Sequence, residues 1–187
     1  MIPRTPFRTR DIRQAYAAAY KCLRSRDELR DRPATVVFDI DDTLLRANDG
    51  SMPRINLTIK LLHAAQRRGY NVEIVTARPE FPSNRAWTME QLRARGIRVP
   101  ESKVHLYDEK RHRSVSHYKS TRRRAMRPPT EGTVGDALHD VTPIHLEGGA
   151  ATKAADENTW RDHREHVVLR LNRRHDGAAW GWKLPEY

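Results

Sequence analysis

The run Val36-Val37-Phe38-Asp39-Ile40-Asp41-Asp42-Thr43-Leu44-Leu45 brings two carboxylates, Asp39 and Asp41, two positions apart into a turn. The segment before them is apolar and rich in β-branched residues, which reads as a strand. Strand alternation puts Asp39 and Asp41 on the same side of the chain. Two carboxylates held that close repel each other, and their pKa values split. Such a pair needs a cation, a proton or a cationic substrate beside it. A magnesium-dependent phosphoryl-transfer centre would use all of these features.

Three later elements could complete that centre: Thr76, Lys119 and the run Gly135-Asp136-x-x-x-Asp140. The segments between them have to position these residues. Residues 11–30 carry a weak apolar stripe of Ala15, Ala18, Ala19, Cys22 and Leu23, which predicts a helix closed by Pro33. The strand through Val36–Phe38 follows. Ile55, Ile59, Leu62 and Ala65 share a face of a helix over 55–68, with Gly69 at the position of a C-cap glycine. Val72–Val75 predicts a second strand, ending in a turn at Thr76-Ala77-Arg78-Pro79. Ser83 is placed to cap a third helix with Trp87, Leu92 and Ala94 inside and Gly96 after it. Strands are expected over 103–107, 132–134 and 144–146, with a basic helix over 118–126 stopped by Pro128-Pro129. The segment around His166–Leu169 fits either a helix from Trp160 through Arg164 or a strand.

Alternating strands and helices of these lengths argue for a parallel sheet flanked by helices. Ligands of such sheets collect beyond the carboxyl ends of the strands. Asp39 and Asp41, then Thr76, then Asp136 fall at three different strand ends, so one edge of the sheet would present them all.

The four elements, taken in order, resemble the motifs of the haloacid dehalogenase (HAD) superfamily. FDIDDTLL and GDALHD are close matches, and the resemblance runs from about Val36 to Leu146. Within that superfamily the chain looks most like the four-aspartate acid phosphatases, the class B and plant acid phosphatase-like subgroup. Thr76-Ala77-Arg78-Pro79-Glu80, Tyr118-Lys119-Ser120-Thr121-Arg122 and the ending Trp182-Lys183-Leu184-Pro185-Glu186-Tyr187 are similar to segments of those enzymes. The resemblance implies an α/β fold: a HAD-like Rossmannoid three-layer sandwich with a parallel sheet, a minimal cap or none, and a helical N-terminal extension. The expected division is residues 1–32 as that extension, 33–147 as the catalytic core, 148–158 as a linker or mobile loop, and 159–187 as a C-terminal segment packing on the core.

The resemblance implies a magnesium-dependent phosphomonoester hydrolase with Asp39 as the nucleophile that forms an aspartyl-phosphate. Asp41 would protonate the leaving oxygen and then take a proton from the hydrolytic water. Asp39 and Asp136 could supply carboxylates to Mg2+, with Asp140 behind them or as a further ligand. The backbone carbonyl at Asp41 also serves the metal in family structures. Thr76 would offer a hydroxyl to phosphoryl oxygens, and Lys119 a point charge to the same oxygens and to Asp39, with Lys103 and Lys110 as competing lysines. Arg78 either helps hold phosphate or pairs with an acid of the sheet edge. Asp42 reads as a structural hydrogen-bonding residue and His139 as a surface histidine.

Net charge is +11 over 187 residues, a balance that favours phosphorylated or polyanionic ligands. Lys110, Arg111, Arg113, Arg122, Arg123, Arg124 and Arg127 concentrate it around Lys119, where it could steer a nucleotide or a nucleic-acid end. Tyr107 and Tyr118 could stack a base. The bland reading of the same charge is a solvated helix face. The gaps from Asp42 to Thr76 and from Thr76 to Lys119 are too short for a cap domain, so an open site is expected. The acid phosphatases of this subgroup are commonly exported. Here a single cysteine, Cys22, with no secretory or membrane-spanning run predicts an intracellular, cytoplasmic setting without membrane association. The contrasting reading is a basic nucleic-acid-binding or assembly protein on a HAD scaffold with little or no catalysis.

Overall fold

The computed structural model describes residues 6–24, 33–46, 53–141, 165–170 and 178–185. In chain order the elements are β1 (Phe7–Thr9), α1 (Ile12–Arg24), β2 (Thr35–Phe38), α2 (Pro53–Arg67), β3 (Asn71–Pro79) and α3 (Pro82–Ala94). A short 3-10 turn, Glu101–Lys103, then leads into β4 (Val104–Tyr107). After it come α4 (Val115–Ala125), β5 (Thr130–Gly135), α5 (Leu138–Val141), β6 (His166–Arg170) and β7 (Trp180–Lys183).

The described strands form one sheet in the order β1-β6-β7-β5-β2-β3-β4. β7, β5, β2, β3 and β4 run parallel, while β6 is antiparallel to β7 and β1 antiparallel to β6. β2 lies at the heart of the parallel part, with Phe38 opposite both Ile74 and Val134. All four of its residues are buried. A strand covered on both faces cannot alternate, which is why its sequence reads as a continuous apolar run.

Phe38, Ile74, Val134, Trp180 and Trp182 pack on one face against Ala15, Ala19 and Leu23 of α1, Leu61, Leu62 and Ala65 of α2, and Met89 and Leu92 of α3. On the other face Val37 and Val75 meet Tyr118 of α4 and Met126 at its end. Helix, sheet and helix make three layers around a parallel sheet, the fold class the sequence implied.

Several local expectations change. β3 runs on through Thr76-Ala77-Arg78 to Pro79, because Pro79 pairs with Tyr107 after an irregularity in the β3–β4 register. Pro82, not Ser83, opens α3, with Phe81 at the N-cap and no side-chain cap. The buried face of α3 is Thr88, Met89 and Leu92; Trp87 is 51% exposed, and Ala94 is exposed too. α4 starts earlier than Tyr118 because Ser114 caps it, accepting from His117 N at 3.1 Å. Gly69 and Gly96 take positive φ values of 76° and 73°, as expected of glycines that end helices.

The segment through His166 forms a strand, with Val168 opposite Trp182. The N-terminal segment is not only helical: β1 joins the sheet through Phe7 opposite Val168. β1, β6 and β7 thus belong to the same sheet as β2, β3, β4 and β5. The strand expected over 144–146, the linker over 148–158 and the helix reading at Trp160 and Arg164 lie outside the described residues. Among the described residues, α2 fills the β2–β3 connection, while α3 and the 3-10 turn fill the β3–β4 connection. No helix of the described residues is long and apolar enough to cross a membrane.

Candidate active site

Because β5, β2 and β3 are adjacent and parallel, their carboxyl ends open on the same edge. Asp39 N donates to Val134 O at 2.9 Å, so the chain still belongs to the sheet at that residue. It then turns sharply. Ile40 O accepts from Thr43 N, Leu44 N and Leu45 N at 3.2, 2.8 and 2.9 Å. Asp42 sits in the left-handed region at φ 51°, where the short polar side chain of an aspartate is tolerated. Ile40 and Leu44, both fully buried, anchor this turn.

The turn breaks the strand alternation on which the Asp39–Asp41 pairing rested. Asp39 groups with Asp136 and Asp140, whose ligand oxygens all lie within 4.8 Å of one another; Asp39 and Asp140 are buried and Asp136 is half-buried. Lys119 Nζ donates to Asp39 Oδ1 at 2.7 Å and also to Asp140 Oδ1. Thr43 Oγ1 donates to Asp136 Oδ1 at 3.4 Å. Ala137 N donates to Asp140 Oδ2 at 2.9 Å. Of the competing lysines, Lys103 is on Asn71 Oδ1 and Lys110 is exposed on the loop after β4. His139 is partly covered and lies 3.8 Å from Asp140 Oδ1.

Burial, and then the charge of Asp140, push the carboxyl of Asp39 well above its ordinary value against the pull of Lys119. The same two causes raise Asp136 to about 6. Burial works against the ammonium of Lys119, yet Asp140 and Asp39 more than offset it and hold its pKa above the usual value. Three carboxylates thus face one ammonium. When all are ionised, the group lacks two positive charges, the charge of one divalent cation. Clustered carboxylate oxygens are the donors that hard cations take, and the group fits such an ion.

Asp41's carboxylate lies outside that group, on Arg78: Arg78 Nη2 donates to its Oδ1 at 2.7 Å and Nε to its Oδ2 at 2.9 Å. Of the two roles open to Arg78, the structure shows the pairing with an acid. Thr76, fully buried at the sheet edge, accepts from Arg78 N at 3.2 Å and keeps its own proton for another acceptor.

The basic stretch divides. Arg123 is 1% exposed and donates from Nη1 to His139 O at 3.0 Å, so it ties α4 to α5 and offers no surface charge. Arg122 is on His105, which in turn meets Glu73. Burial works to raise Glu73, but hydrogen bonds from His105 and Asn71 lower it overall. Arg124 donates to Ser120 Oγ at 2.8 Å and Arg127 to Met126 O at 2.8 Å. Lys110, Arg111 and Arg113 are exposed between β4 and α4. Tyr118 is a core residue, its ring centroid 5.6 Å from that of Tyr107, and cannot stack a base.

Sequence reasoning missed the partners of Arg78 on α3. Thr88 and Gln91, three apart on a helix, share a face, and that spacing was the available signal.

A protein-family model described as HAD superfamily, subfamily IIIB (Acid phosphatase), matches residues 46–159. The matched span takes in Thr76, Lys119, Asp136 and Asp140; Asp39 and Asp41 stand just before it. Among solved structures, the chain is similar to the crystal structure of a hypothetical protein from Pyrococcus horikoshii OT3, at 20% identity and a TM-score of 0.32. That match covers 55% of this chain and 33% of the other, so this chain spans about a third of that protein's length. No curated protein matches the chain.

Proposed function

Since the chain belongs to the HAD superfamily, subfamily IIIB, the acid phosphatases, and is thus a phosphoric monoester hydrolase, we propose that it works through an aspartyl-phosphate on Asp39 with Mg2+ as cofactor. The observation that carries this reading is the division of labour between the two carboxylates. Asp39 is buried against Lys119 and two further aspartates, while Asp41 stands apart in the grip of Arg78.

An oxygen of Asp39 attacks phosphorus in line, and the bond from phosphorus to the leaving oxygen breaks. In its protonated form Asp41 gives a proton to that oxygen, and Arg78 pairs with the carboxylate left behind. A water then loses a proton to Asp41 and attacks the same phosphorus, which releases phosphate and restores Asp39. Lys119 donates to Asp39 and favours its ionised form against burial and the charge of Asp140, and it stays close to the phosphoryl oxygens. Thr76 gives its hydroxyl proton to one of these oxygens. Asp39, Asp136 and Asp140 would hold the metal. When bound, Mg2+ supplies the charge that lets anionic ester and anionic nucleophile approach.

The substrate proposed is a nucleotide or a phosphorylated nucleic-acid end. Lys110, Arg111 and Arg113, exposed on the loop that leads into the helix of Lys119, support it, as does the net charge of +11. An intracellular setting belongs to the same reading. Cys22, the sole cysteine, is buried, and burial pushes its thiol up to about 12, as suits an inert core residue.

The test is hydrolysis of 4-nitrophenyl phosphate with and without magnesium. Turnover should need magnesium, stop with EDTA and vanish in Asp39→Asn. Full activity in that variant would remove Asp39 from the mechanism.

A further inference from the structure

Arg78 leaves little of its guanidinium for a substrate. Nε and Nη2 grip Asp41 at 2.9 and 2.7 Å. Nη1 donates to Thr88 Oγ1 at 3.2 Å and to Gln91 Oε1 at 2.7 Å. The ring of Trp87 covers the guanidinium, with its centroid 4.8 Å from Cζ. Thr88, Gln91 and Trp87 all stand on α3, and Thr88 is fully buried there. The Arg78 side chain is 9% exposed, whereas that of Asp41 is 41% exposed.

Asp41 is therefore the mobile-prone member of the pair, a short carboxylate on a turn, open to water. A monodentate or unpaired carboxylate there would rotate freely about its side-chain bonds. A bidentate guanidinium fixes both its position and its plane. The guanidinium is itself fixed from a helix packed on the core, so the rigidity of α3 is handed to Asp41. The same grip keeps Asp41 from joining the Asp39, Asp136 and Asp140 group.

We propose that Trp87, Thr88 and Gln91 are positioning residues that, through Arg78, hold Asp41 where it can protonate the leaving oxygen. The inference rests on Asp41 being the proton donor. It extends that reading from the sheet edge to the face of α3 that meets Arg78.

A proton donor matters most when the leaving group is poor. Nitrophenolate departs without a proton, while an alkoxide does not. The ratio of kcat/KM on 4-nitrophenyl phosphate to kcat/KM on ethyl phosphate therefore reads Asp41's contribution. Asp41→Asn should raise this ratio by about a hundredfold or more, the usual weight of a general acid. Gln91→Leu and Trp87→Ala should each raise it by about tenfold, a partial loss of the same transition-state interaction. Trp87→Phe keeps an aromatic face over Arg78 and should restore the original ratio. Trp87 is half exposed, so its replacement does not open the core, and the thermal shift on adding magnesium should stay as in the parent protein.

An equal fall on both substrates in Gln91→Leu and Trp87→Ala, or no change on either, overturns the proposal. If only Asp41→Asn moves the ratio, the helix clamp is wrong and the acid assignment stands. If Asp41→Asn leaves the ratio unmoved, the acid assignment fails and the clamp falls with it.

Discussion

Asp140 occupies the space that a Cβ on Gly135 would fill: an added methyl would stand 2.1 Å from Asp140 Cβ and 2.4 Å from its Cγ. The missing side chain of Gly135 lets Asp140 reach Lys119, accept from Ala137 N at 2.9 Å, and seat its carbonyl on Thr133 Oγ1 at 2.6 Å. Gly135→Ala must push Asp140 and α5 outward. The expected cost is about 1–3 kcal/mol of stability, the usual range for overpacking. The more specific effect is on the metal: magnesium should no longer raise the melting temperature, and phosphatase activity should fall at least about tenfold, since small displacements of reacting groups are costly.

Gly132 gives the matching control. A Cβ there would lie 2.2 Å from Cζ2 of Trp180, a side chain with no exposed surface, on the strand next to β5. Gly132→Ala should also cost about 1–3 kcal/mol in urea unfolding. Its thermal shift with magnesium should survive, because the collision lies in the apolar layer and not at the strand end. Equal loss of the magnesium shift in both variants would mean that the two glycines serve only packing.

How far the sequence discloses these relationships depends on the kind of contact. The parallel sheet and its polar edge are legible because β2 is buried on both faces and its apolar run stops at Asp39. Lys119, Thr76, Asp136 and Asp140 are legible as types in order. The direction of Asp41 is not, because the left-handed Asp42 and the triple acceptance at Ile40 O undo the alternation within two residues. Tyr118 and Arg123 look like surface residues in a basic stretch. Both are buried because Ser114 starts α4 early and turns that face to the sheet. Trp87 fails in the opposite sense: its apolar bulk suggests the core, whereas its place is over the guanidinium of Arg78.

The raised carboxyls set the pH dependence of stability. Asp136 moves from an ordinary value of 3.8 to about 6 in the fold, mainly through burial and then through the charge of Asp140, and Asp39 moves in the same direction. Between these values the folded chain holds more protons than the unfolded one, so stability falls as pH rises. The contribution is full below about 4 and lost on passing about 6. A metal ion needs the ionised forms and opposes that loss. In thermal melts without metal, stability should decline from pH 5 to pH 7, and the shift produced by a fixed magnesium concentration should be larger at pH 8 than at pH 5. A shift of equal size at both would argue against the aspartate group as the metal site.

Removing one carboxylate should separate stability from function. Asparagine at position 39 can still accept from Lys119 but carries no charge for burial and Asp140 to oppose. Asp39→Asn should therefore melt at or above the parent protein's temperature at pH 8 without metal, while its turnover is abolished. Lys119→Met is expected to do the reverse to stability, since it leaves two buried carboxylates without their ammonium, a loss of about 3–5 kcal/mol for a broken buried pair. Magnesium should recover part of that loss.

The basic stretch offers a last prediction, because its members are used in different ways. Arg111 has a side chain 82% exposed, with its Nε 3.1 Å from Asp108 Oδ2, and Arg113 is exposed too. Arg123 is buried, with its Nη1 on the carbonyl of His139, next to Asp140 in the chain. If a phosphorylated oligonucleotide is drawn in by surface charge, kcat/KM on it should fall with added salt, and Lys110→Ala together with Arg113→Ala should flatten that dependence. Activity on 4-nitrophenyl phosphate should barely respond to the same pair, since a small ester makes few distant charge contacts. Arg123→Met should behave differently: it unties α4 from α5, lowers stability by about 1–3 kcal/mol for a lost buried hydrogen-bond partner, and leaves the salt slope intact. A salt slope that tracks Arg123 rather than Lys110 and Arg113 would place the polyanion path along α4 and not along the loop before it.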